Sequence, residues 1–184
     1  MEQALVFASI VLGIAVAFEL QHLHQLLRAP NIRWHWAQPL FAFFVLLSIM
    51  SIWWMIAGRE IEGEMTLARF MPIMWGLVML NLLAAVALPD KIPEEGIDLA
   101  EYYQANQRYM WGLYILFFLP LGVNWFVYSM RRAENISQFV QLISGDMLGL
   151  CAFVFLFFAR KWWLVAVGFA GLATLSLSWL TRAL

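Results

Sequence analysis

Residues 4–27, 38–57, 68–88, 109–129, 138–158 and 162–181 form six runs, each close to the roughly 20 mostly apolar residues that a helix needs to cross a bilayer core. Such runs leave few folding options. In hydrocarbon every backbone amide must find its partner within the protein, and segments this uniformly apolar, without alternation, do not suit a barrel. The expected fold class is therefore all-α: a polytopic transmembrane helix bundle of about six spans, forming one membrane domain over residues 1–184, with no strands. The chain is 64% hydrophobic and 12% charged, against roughly 45–50% and about 25% in an ordinary soluble domain. Its formal charge of −1 offers no basic face for nucleic acid, so the expected partner is the lipid bilayer.

Prolines punctuate the early spans: Pro30 follows the first, Pro39 opens the second and Pro89 closes the third. Spans five and six are parted only by "ARKWW", which demands a tight antiparallel hairpin. The N-terminus lacks the positive flank of a secretory signal, and its apolar run is longer than the roughly 7 to 15 residues of a signal core, so it reads as a retained span. Cys151 is the single cysteine, which excludes an intrachain disulfide. Five basic residues fall on the termini side and six on the other, so the positive-inside rule does not separate the two orientations. The first span has no Lys or Arg before it and two after it, which leans towards both termini being periplasmic.

The longest aqueous segment is "PDKIPEEGIDLAEYYQANQRYMW", residues 89–111. Asp98 followed by Glu101 has the spacing of a capping box, opening a helix outside the membrane that runs on into span four. Leu99, Tyr102, Tyr103, Asn106, Tyr109 and Met110 recur at intervals of three and four, as one face laid against the bundle would require.

Ionisable groups inside spans cost about 2.5 to 3.5 kcal/mol at a helix centre, so each needs a partner, a wet cavity or a function. Glu19 in span one and Asp146 in span five qualify, and His22 shares a helix face with Glu19. Asn81 and Asn124 add neutral polar groups, as does Ser144. Together Glu19, His22, Asp146, Asn81 and Asn124 read as a proton or cation pathway. The alternative is that they bond one another or backbone carbonyls and fix helix packing.

Other chemistries lack their parts. Glu19 with His22 is half of a carboxylate-bridged di-iron site, but the second Glu-x-x-His is missing. For a bis-His haem only His35 could face the first span, so no cofactor and no metal are expected. No histidine follows His35 to serve a serine nucleophile, and Lys91 and Lys161 lie at or beyond span ends, unsuited to a buried Schiff base. No span repeats arginine at every third position, as a voltage sensor would.

Small residues mark candidate packing faces. Ser9, Gly13 and Ala17 line one side of span one, with Glu19 and His22 projecting to the other. Gly145 and Gly149 flank Asp146, and span six carries Ala166, Ala170, Thr174 and Ser178. These stripes suit packing within the chain, a homo-oligomer or a larger membrane complex. Pro120 interrupts span four, "GREIEGEM" at 58–65 reads as a solvated loop, and "NIRWHW" reads as an interfacial anchor.

At "LPDKIPEEGIDLAEYYQANQRYMWGLY" the chain resembles small multi-pass inner-membrane proteins of Gram-negative bacteria. The similarity rests on the proline-flanked acidic loop, the Asp98-Leu99 helix start, Tyr102-Tyr103 and Arg108-Tyr109. It implies the bacterial inner membrane as location and carries no activity and no site residue. The expectation from the residues is a channel- or transporter-type protein moving protons, cations or a small solute, a reading that leans away from an enzyme without excluding one. The alternatives are an accessory or assembly subunit and, third, a haem or metal protein.

Overall fold

The computed structural model describes the backbone of residues 2–57 and 67–180, and the side chains of 5–57, 67 and 70–175. The "GREIEGEM" segment and the side chain of Ser178 lie outside the described residues. Six helices follow one another: α1 (Glu2–Arg28), α2 (Ala37–Ala57), α3 (Leu67–Ala87), α4 (Leu99–Arg132), α5 (Ile136–Phe158) and α6 (Trp162–Leu180). The first five are long and apolar enough to cross a membrane, whereas the described part of α6, Trp162–Leu175, is apolar but shorter. The fold is all-α and fits a multi-pass membrane protein.

One local departure concerns strands. Ile32–Arg33 (β1) pairs in parallel with Ile97–Asp98 (β2), with Ile32 opposite Ile97 and Arg33 opposite Asp98. Both pieces lie in loops, where extended backbone is not penalised as it is in lipid. Asn31 at φ 57 and Gly96 at φ 96 turn the chain beside this ladder. A β-carbon on Gly96 would overlap the Asn31 carbonyl oxygen, so the close approach requires glycine.

The chain divides into two compact units, Met1–Met110 and Trp111–Leu184, with α4 running through the boundary. In the first, α1 packs on α3 and α2, and α2 packs on α3. The buried line of α1 is Ala8, Leu12, Ala15, Glu19 and Leu26, with half-buried His22 at the intervening position. Its alternating steps of four and three are those of a helix seam. Lipid is as apolar as leucine, so burial of hydrocarbon drives such packing weakly and polar ties count. Trp53 Nε1 donates to Ser9 Oγ at 3.3 Å, and Asn81 Nδ2 donates to Leu77 O at 2.9 Å and across to Val11 O at 3.4 Å.

The first turns of α4 close this unit. Asp98 Oδ1 accepts from the amides of Ala100 (2.8 Å) and Glu101 (3.4 Å), which bears out the expected helix start. Leu99, Tyr103, Gln107 and Met110 form the buried face, while Tyr109 is 54% exposed. The expected face thus holds at Leu99, Tyr103 and Met110 and fails at Tyr109, one position off that line, where Gln107 is enclosed instead.

The second unit is organised by rings. Phe153 on α5 stacks on Tyr114 (5.1 Å) and Trp111 (6.1 Å) of α4 and meets Phe118 edge-on, and Phe169 of α6 meets Trp111 at 5.5 Å. Asn135 caps α5, accepting from Gln138 N at 2.8 Å. Helices α5 and α6 form the tight hairpin that "ARKWW" demands. Gly168 lets the side chain of Leu156 approach to where a β-carbon would stand.

Candidate functional site

Helix ends are where backbone carbonyls lose their partners, and the end of α3 is where polar side chains gather. Val86 O accepts from Tyr102 Oη at 3.2 Å, and Ala87 O accepts from Gln38 Nε2, whose nitrogen also lies 3.7 Å from Met110 Sδ. Pro89, two residues on, cannot extend the helix. Side chains of α2 and α4 therefore do for α3 what a further turn would have done. Tyr102 stands in the turns of α4 that precede the expected span. Its hydroxyl is pushed up by burial first and by the Asp90 carboxylate second, so it remains a neutral donor.

The bonds between helices set the level of Glu19. Asn81 reaches Val11, Trp53 reaches Ser9 and Gln38 reaches Ala87, so α1 runs parallel to α3 and antiparallel to α2. Counting 1.5 Å per residue from the Asn81–Val11 tie puts Glu19 and Ala87 within about 3 Å of the same height, and Gln38 bonds the Ala87 carbonyl. Trp34 and Trp36 are exposed at one end of α2, and Trp53 and Trp54 at the other. Trp36 and Trp53 are separated by about 26 Å of helical rise, close to the roughly 30 Å of a hydrocarbon core. Glu19 therefore lies nearer the end of α1 that leads into the α1–α2 loop than the other end.

Glu19 is 1% exposed and Gln38 fully enclosed. Among the described residues, both carboxylate oxygens of Glu19, Oε1 of Gln38 and Nδ1 of His22 are buried without a hydrogen-bond partner. Glu19 and His22 share the buried side of α1 as their spacing implies, yet they make no hydrogen bond. A buried polar group is normally satisfied. These three side chains of the first unit, with buried and unused polar atoms, are the feature of this protein that most resembles a site.

The remaining candidates are placed differently. Asn81 ties α3 to α1, which is the packing alternative. Asn124 is exposed on α4, and Asp146 is half-buried on α5 in the second unit. Ser144 bonds its own helix at Gln141 O. Ser9, Gly13 and Ala17 face outward, and Gly13 has open space where a β-carbon would sit. Gly145 and Gly149 are likewise open, although Gly149 is buried. Ala166, Ala170 and Thr174 are exposed, while Val165, Gly168, Phe169 and Leu172 are buried in α6. The inward line therefore runs beside each small-residue stripe on α1 and α6. No group of three or more His, Cys, Asp or Glu side chains able to hold a metal occurs among the described residues.

None of the known protein families, curated proteins or solved structures matches this chain. The site must be judged on its own geometry.

Sequence reasoning missed Gln38 and Gln107, both buried, and the buried hydroxyl of Ser129. Gln38 is the first residue of the second expected span, beside Pro39, a position that by itself gives it no partner. Only the tertiary contact with Ala87 gives it a task. Asn135-x-x-Gln138 is a legible N-terminal signature and could have been found.

Proposed function

We propose that this multi-pass membrane protein is of the transport type and that Glu19 is where a proton or small cation is held. The supporting observation is the carboxyl of Glu19, enclosed at the end of α3 with no donor for either oxygen. An isolated charge in such surroundings is strongly disfavoured, so the group calls for a neutralising partner that comes from outside the described residues. A packing role alone would be served by a group like Asn81, which bonds the neighbouring helix. The bacterial inner membrane, with both termini periplasmic, is the location we attach to this reading.

Purified protein reconstituted in liposomes should dissipate an imposed proton or cation gradient, and Glu19→Gln should abolish that flux with the yield of folded protein unchanged. A wild-type protein that conducts nothing, and that copurifies in mild detergent with fixed partners, would replace transport by the accessory-subunit role.

A further inference from the structure

The occupant of Glu19 and its way in can be argued from the same part of the fold, resting on the proposal that Glu19 is a loading site. A divalent hard cation takes about six to eight oxygen ligands, often several of them carboxylates. Here, among the described residues, the buried unused oxygens of the first unit are those of one carboxylate and one side-chain amide. The titratable groups around it are few. Helix α2 carries no Asp, Glu, Lys, Arg, His or Tyr, and the described side chains of α3 include none either. The first turns of α4 bring Tyr102, occupied at Val86 O, and fully buried Tyr103, while Glu101 and Arg108 are exposed. In the loop before α4, Asp90, Lys91, Glu94 and Glu95 are exposed, and Asp98 faces Arg33 at 3.9 Å. No described cation is therefore enclosed with Glu19.

On α1 itself, Glu19, His22 and Gln25 follow at intervals of three, a row that winds about 60° around the helix at each step, from the buried carboxyl to the exposed Gln25. Gln25 lines an open groove with His24, Arg28, Ala29 and Ile92. Between the buried carboxyl and the groove residue Gln25 this row holds one imidazole, half-buried, whose Nδ1 is unused. An imidazole can accept a proton on one nitrogen and release one from the other.

We propose that Glu19 binds a proton, delivered from the loop-side groove through His22. Protein in lipid nanodiscs, 13C-labelled at glutamate, would be followed by infrared difference spectroscopy after a pH jump. A carboxylic C=O band absent from Glu19→Gln should rise and fall with pH, unaltered by sodium, potassium or magnesium at constant ionic strength. His22→Phe should slow the response of that band about a hundredfold or more, in the range expected for loss of a proton-transfer group, and His22→Gln should slow it without shifting the band. Loss of the band on adding one of the cations would make Glu19 a cation site. An unchanged rate in both His22 variants would place the access elsewhere. A Glu19 that shows only the carboxylate signature at every pH would overturn the proposal. Since no flux is measured, a protein that transports nothing could still pass this test, and a transporter could fail it.

Discussion

Around Glu19 the first unit is held by single polar side chains reaching across helices: Asn81 to Val11, Trp53 to Ser9, Gln38 to Ala87, Tyr102 to Val86. Around Phe153 the second is held by rings, with Trp111, Tyr114, Phe118 and Phe169 in one contiguous cluster. Both are ways to give a membrane protein a unique packing when lipid removes most of the hydrophobic drive. Rings do so by shape and ask for fewer matched donors and acceptors, although the buried Ser129 hydroxyl of the second unit lacks a partner. Polar ties do so by direction, and they oblige every buried donor and acceptor to be matched. The first unit leaves several unmatched, which is why a function is sought there and not among the rings.

Four substitutions test this contrast. Phe153→Ala removes a ring shared by three others and should cost about 3–5 kcal/mol, measured by reversible unfolding in mixed micelles, with a fluorescence change from Trp111; a small loss would show that the rings merely fill space. Gly96→Ala forces a side chain into a positive φ and against the Asn31 carbonyl, at a cost of about 1–3 kcal/mol. Its effect should fall on the first unit, seen as faster amide exchange over residues 29–36 and 88–98. Glu19→Leu should go the other way. Deleting an unmatched buried carboxyl should stabilise the protein by about 1–3 kcal/mol while ending any transport, and a destabilised Leu variant would mean that Glu19 has a structural partner. Asn81→Ala should cost least, about 0.6 kcal/mol, because one helix-to-helix bond is all it loses. A cost above that of Gly96→Ala would make polar ties, not loop closure, the main support of the first unit.

Both stripes of small residues carry a lesson about what a helix pattern conveys. Ser9, Gly13 and Ala17 on α1, and Ala166, Ala170 and Thr174 on α6, have the spacing of close helix packing. In each helix the buried line runs beside the stripe: Leu12, Ala15 and Glu19 in one, Val165, Phe169 and Leu172 in the other. Small residues permit close approach without requiring it, and a lipid-facing position accepts alanine as readily as leucine. Close approach does occur at Gly168 against Leu156, a glycine outside the expected stripe.

What the sequence settled by itself is the set of helices, the hairpin at "ARKWW" and the Asp98 start of α4, because apolar run length, proline and capping chemistry are local and act before any tertiary contact forms. It also marked Glu19 and His22 as costly residues needing an explanation. The fold alone decided their enclosure and the helices packed against them. Helix register depends on bonds such as Asn81 to Val11, between residues 70 apart in the chain, and no local pattern encodes which carbonyl a distant amide will find. For the same reason Gln38, at the start of the second expected span, had no visible task until the end of α3 arrived beside it.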